Sequence, residues 1–164
     1  MKKGDLVEPT ASIDASYSKY AGRPETKFLP GMLGVVRHID KQLGGFQVEF
    51  FHPATGCMER AWTTQIKKVK WPEGLALPPD TKEKPGWWSC GSLDWRGSLA
   101  LLQATAALRP DFFRDLHPET LRIPLIHASR LRQDLDQKPE GCDVHRAALD
   151  EAASSIAKLL EVQS

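Results

Sequence analysis

Seven basic side chains are spaced so that they could meet phosphates: Arg37, His38 and Lys41 in one run, Arg60 in the next, and Lys67, Lys68 and Lys70 in a third. Guanidinium and ammonium groups grip phosphate oxygens by charge and hydrogen bonding, and an aromatic ring among them takes the face of a base. Phe51 and Trp62 fall between these basic groups along the chain and are the candidate stacking rings. The same pattern has a structural explanation, because alternating lysines keep an edge strand solvated and discourage edge-to-edge pairing. At the level of sequence both readings stand.

Other chemistry is poorly supported. There is no G-x-x-x-x-G-K-[ST] loop to cradle a nucleotide's phosphates and no G-x-S-x-G elbow to present a nucleophile. None of the five histidines has a serine or cysteine at a spacing that suggests a catalytic dyad. Cys142-x-x-His145 offers two metal ligands from one helical start, with Cys57 or Cys90 to add a third, but structural zinc wants four ligands in paired motifs. The expectation is therefore a chain that binds, with no catalytic residues, no metal and no cofactor.

The basic groups need strands to carry them, and residues 28–69 read as consecutive strands divided by turn chemistry. The run 33–39 is rich in β-branched residues and ends in Asp40-Lys41-Gln42-Leu43-Gly44-Gly45, a polar reversal closed by glycine. Phe46, Val48 and Phe50 then alternate with Gln47, Glu49 and Phe51, the period of a half-buried strand. His52-Pro53-Ala54-Thr55-Gly56 breaks that run, Met58/Arg60/Trp62 alternate with Glu59/Ala61/Thr63, and Ile66 and Val69 stand between lysines in a last short strand. With Gly4-Asp5-Leu6-Val7 as a first strand, this spacing favours a small closed barrel.

The glycine, valine and turn positions carry a resemblance. Gly4-Asp5-x-Val7 followed by Pro30-Gly31-x-x-Gly34-x-Val36-x-x-Ile39 resembles the opening of KOW and Tudor-like barrels. Val48-x-Phe50-x-x-Pro53-Ala54-Thr55-Gly56-x-x-x-Arg60, then Ile66-x-x-Val69, is similar to the N-terminal Tudor-like module of bacterial Swi/Snf-type ATPases, including the one that rides on RNA polymerase. The resemblance covers about the first 72 residues and implies a five-stranded Tudor/KOW-like barrel in the service of a nucleic-acid machine. It does not make the chain the motor, because Asp150-Glu151 lies in an amphipathic helical run and no phosphate loop precedes it.

Around the strands, residues 9–29 read as a long loop whose Tyr17 and Tyr20, with Phe28, either line a pocket for a cationic ligand or cover the open end of the barrel. Residues 72–91 hold four of the twelve prolines and read as a linker or strap. Trp87 and Trp88 at its end either pin it to the rest of the protein or anchor a partner. From Ser92 the period becomes helical: Leu101, Ala104 and Leu108 form a stripe, and Pro110 ends it and opens a short helix with Phe112 and Phe113. A further helix is expected over 124–135, and a last over 143–162 on the face Leu149, Ala152, Ala153, Ile156, Leu159 and Leu160. Arg122, Arg130 and Arg132, interleaved with Asp134 and Asp136, read as a solvated face. The expected architecture is thus α+β: a barrel over 1–71, a strap over 72–91 and three or four helices over 92–164.

Bulk composition limits the partners. The chain has 164 residues, is 41% hydrophobic and 26% charged, and has a net charge of +1. Residues 1–70 carry 11 Lys/Arg against 7 Asp/Glu, a balance of +4 that suits weak contact with nucleic acid and not a dedicated, strongly basic binder. Three scattered cysteines fit free thiols in a reducing compartment. No run approaches the roughly 18 apolar residues of a membrane span, and no apolar stretch follows Lys2 and Lys3, so a cytoplasmic protein is expected. The first functional reading is a non-enzymatic adaptor of a Swi/Snf-type translocase, RNA polymerase or phage-defence complex, touching DNA or RNA through the basic face and protein through the helices. The second is a protein-interaction module without nucleic acid, and the third a small metal protein or enzyme.

Overall fold

In a computed structural model of the protein, residues 1–15, 27–51, 58–76, 95–115, 150, 154–159 and 161 are described. Their elements are β1 (Leu6–Pro9), β2 (Ile13–Asp14), β3 (Lys27–Phe28), β4 (Gly34–Asp40), β5 (Gly45–Phe51), β6 (Met58–Thr63), β7 (Ile66–Val69), α1 (Trp95–Leu108) and α2 (Pro110–Arg114). Residues 154–159 are helical as well. Five strands make one antiparallel sheet in the order β6-β5-β4-β1-β7, and β2 pairs with β3 in a second sheet of two strands.

The expected closed barrel is not what the chain builds. Among the described residues no ladder joins β6 to β7, so the sheet stays open with those two strands at its edges. Only Thr64 and Gln65 separate them, which holds Thr63 and Ile66 within about 11 Å of each other and requires a strongly curled sheet. β2 packs near β6, and β7 is four residues long with two lysines that favour a solvated edge. Of the expected C-terminal helices, the described residues hold α1, the five-residue α2 and the helical stretch 154–159. The proposed helix over 124–135, the strap with Trp87 and Trp88, and the Cys142/His145 pair lie outside the described residues, as do Tyr17 and Tyr20.

The β4–β5 hairpin turns because Asp40 accepts hydrogen bonds at Oδ1 from the N–H groups of Gln42 (2.8 Å) and Leu43 (3.0 Å), while Gly44 takes φ +70°. A side-chain carboxylate that caps its own turn, followed by a residue that needs positive φ, is the local chemistry of such a reversal. Between Val36 and His38 the register slips by one residue, a bulge that swings Arg37 toward β5.

One face of the sheet carries the main core. Val7, Val36, Val48, Phe50, Ala61 and Ile66 pack there against Ile13, Ala15, Phe28 and Met32, so the β2–β3 arm, read from sequence as loop, is the second layer. Phe28 stacks on Phe50 with ring centroids 4.4 Å apart and is fully buried, which removes it from any ligand cage. The opposite face is shielded where Leu6, Val35 and Glu49 lie, all at 0% exposure.

In α1 the buried positions Leu99, Ala100, Leu101, Leu102, Ala104 and Thr105 surround the axis and do not form a single stripe. That pattern belongs to an enclosed helix. Thr105 satisfies its hydroxyl by donating to the Leu101 carbonyl at 2.8 Å. The helix stops at Arg109, whose φ −137° and ψ 61° are imposed by the proline that follows it.

Candidate nucleic-acid interface

Cross-strand partners share a sheet face, so the register builds the site row by row. His38 pairs with Gln47, and Gln47 with Trp62, giving one row across β4, β5 and β6. The adjoining row holds Val35, Glu49 and Arg60, with the bulged Arg37 turned onto the same carboxylate. Arg60 Nε donates to Glu49 Oε1 at 2.5 Å, and Arg37 Nε lies 3.7 Å from Glu49 Oε2. The carboxylate is wholly buried, whereas both guanidiniums are partly exposed. Two partly exposed guanidiniums thus stand together at this rim of the sheet.

The first row is open. Trp62 is 46% exposed, His38 is exposed, and Gln47 is half-buried between them. The imidazole and indole meet edge to face, with centroids 5.8 Å apart and planes at 80°. Lys41 follows on the exposed turn beyond β4.

The remaining lysines are elsewhere. Lys67 and Lys68 lie on β7, at the far edge in strand order, and each faces an acidic group in or just before β1: Lys67 Nζ is 3.4 Å from Glu8 Oε2, and Lys68 Nζ is 2.9 Å from Asp5 Oδ1. Lys70, just past β7, is exposed. Arg37, His38 and Arg60 come together with Trp62, and Lys67 and Lys68 lie on the other edge strand in the order of the sheet. Phe51 closes β5, but its side chain is outside the described set.

Sequence reasoning missed the acidic partners and one arginine. Glu8, 7% exposed, accepts at Oε1 from the Gly31 N–H (2.8 Å) and at Oε2 from Arg109 Nη2 (2.7 Å), which ties the junction of α1 and α2 to β1. Gly31 holds φ +100°, a conformation that lets its N–H turn inward to that carboxylate. The available signal was the acid itself: Glu8 and Glu49 each adjoin large apolar residues in a strand, where a charge that is buried must find a partner.

Burial pushes Glu8 up, but the Arg109 hydrogen bond and charge, the Gly31 N–H and Lys67 outweigh it and hold the carboxyl below its ordinary 4.5. Asp5 behaves alike: burial raises it, and Lys68 together with the Lys2 N–H brings it below 3.8. Asp40 is lowered by the N–H groups of Leu43 and Gln42. A carboxyl with a lowered folded pKa contributes stability that is complete above its unfolded pKa and is lost as pH falls through the folded value. Thermal melts followed by circular dichroism should therefore be flat from about pH 7 to pH 5 and decline below about pH 4.5. Arg109→Met should melt lower at neutral pH and show a shallower acid decline. An unchanged acid slope in that variant would contradict the role given to Glu8.

Among the described residues no three His, Cys, Asp or Glu side chains gather as a metal site, and no helix is long and apolar enough to cross a membrane. Comparison of the chain with protein-family profiles, with curated proteins and with solved structures finds no match.

Proposed function

We propose that the chain is a non-enzymatic adaptor that makes weak contact with nucleic acid through the β4–β5–β6 rim of its sheet. The observation that supports this most is the grouping of exposed cations: the guanidiniums of Arg37 and Arg60 are partly exposed side by side at Glu49, and Lys41 is exposed on the adjacent turn. Solvent-accessible cations on one rim attract a polyanion and exchange condensed counterions for protein contacts. The modest +4 balance of residues 1–70 suits an accessory subunit that is brought to nucleic acid by a larger machine, such as a Swi/Snf-type translocase, RNA polymerase or a phage-defence complex. Its three scattered cysteines suit the reducing cytoplasm.

A protein-only reading has one observation in its favour. Leu43 is 85% exposed on a turn that Asp40 holds rigid, a geometry suited to entering a partner's apolar pocket.

The test is salt-dependent binding. With mixed-sequence nucleic acid the protein should show a Kd on the order of micromolar or weaker at physiological salt, weakening as salt rises. Lys41→Glu should lower affinity for every sequence and flatten the salt slope, with melting temperature unchanged because the side chain is exposed on the turn. Lys67→Glu and Lys68→Glu are unsuitable for this purpose, since each would set a second carboxylate beside Glu8 or Asp5 and destabilise the sheet. Absence of any salt-sensitive binding at tens of micromolar, together with a protein partner lost on Leu43→Asp, would favour the protein-only reading.

A further inference from the structure

The row His38–Gln47–Trp62 has a shape that charge alone does not require. Two aromatic side chains on non-adjacent strands stand at 80° to one another, a floor and a wall, and the strand between them contributes the half-buried Gln47 to the same row. A flat heterocycle that lies on the indole brings its edge toward the imidazole and its polar groups within reach of an amide that both donates and accepts. Nucleobases combine a π-face with such an edge. In the next row on the same face, Arg37 and Arg60 meet at one carboxylate with both guanidiniums partly exposed, so cationic groups lie beside the rings at the spacing of alternate strand residues.

Resting on the nucleic-acid reading above, we propose that His38, Gln47 and Trp62 form a shelf for one unpaired base, with Arg37 and Arg60 meeting the phosphate beside it. The occupant is an unpaired strand and not a duplex. In a duplex both faces of each base are covered by its neighbours, and an indole set within a sheet cannot slide between them. An unpaired base can splay onto the ring and exchange its exposed face for aromatic contact. Gln47 then favours bases that offer a donor and an acceptor side by side, while the stack itself accepts any base.

The test measures anisotropy of short labelled strands of equal length and charge: base-bearing DNA, base-bearing RNA, an abasic strand and a duplex, at one low salt concentration. The wild-type protein should bind base-bearing strands at least about tenfold more tightly than the abasic strand, the scale of a single stacking contact. Trp62→Ala should remove that difference without changing affinity for the abasic strand or the duplex, and Trp62→Phe should restore most of it. Gln47→Ala should reduce discrimination among bases while leaving the difference from the abasic strand in place. Preference for either sugar supports the shelf, since both strands carry bases. Equal affinity of the wild-type protein for base-bearing and abasic strands would overturn the shelf and leave charge-driven binding intact. Binding to none of the four would overturn the nucleic-acid reading itself. The wild-type comparison decides the matter even if a Trp62 variant fails to fold.

Discussion

Replacing Arg60 with alanine lowers stability by about 3 kcal/mol, the low end for stranding one member of a buried ion pair, because Arg37 remains as a second partner. Glu49 is wholly enclosed, and its 2.5 Å hydrogen bond from Arg60 Nε is shorter than its 3.7 Å contact with Arg37. Alanine takes that hydrogen bond from a desolvated carboxylate. Arg37→Ala should cost less, since that contact is longer. Converting Glu49 and Arg60 together to leucine should recover most of the loss, because the uncompensated buried charge is then gone. Denaturant titration measures all four proteins, and the midpoint shift at constant slope reports the change. If Arg60→Ala and the double variant are equally destabilised, Glu49 is not held as described. A practical consequence follows for binding work: Arg60 contributes to the fold as well as to the charged rim, so its variants cannot isolate phosphate contact.

Gly34→Ala should be of similar size, about 3 kcal/mol, at the upper end for overpacking a filled core. A Cβ at this position would stand 2.6 Å from two ring carbons of Phe50 and 2.7 Å from a methyl of Val48. Neither neighbour can retreat easily, because Phe50 is fully buried and stacked on Phe28, and Val48 is fully buried beneath the sheet. The backbone of β4 pairs Gly34 with Phe50 on one side and with Val7 on the other, so the strand cannot step away without breaking both ladders. Phe50→Leu should cost stability by itself, but less when Gly34 is alanine, since the smaller side chain yields the space the methyl needs. Additive losses in the double variant would contradict a steric origin.

The rim where the proposed interface lies was half legible in the chain. Trp62, Arg60, Arg37 and His38 could be singled out from residue type and spacing, because strand periodicity and turn residues are local signals. Their relation to Lys67 and Lys68 could not, since it depends on strand order, and β1 comes between β4 and β7. The fate of Glu49 shows the same limit. Alternation puts it on the face opposite Phe50, and it is there, but whether that face is wet is decided by what covers it. The β2–β3 arm was misread because two-residue strands carry almost no periodic signal, and their order comes from packing Phe28 on Phe50.

Local chemistry in the chain was thus enough for the strand alternation of β5 and β6, the Asp40-capped turn, and the helix break at Pro110, because each depends on residues within a few positions of one another. Three features arise only when distant segments meet. The sheet takes the open order β6-β5-β4-β1-β7 because β1, from the start of the chain, pairs between β4 and β7. Arg109 is drawn to Glu8, 101 positions away, because a buried carboxylate needs a cation and the helical junction brings one. His38, Gln47 and Trp62 form a single row because the bulge after Val36 shifts the register by one residue, and in a structure of period two a single step decides which side chains share a face.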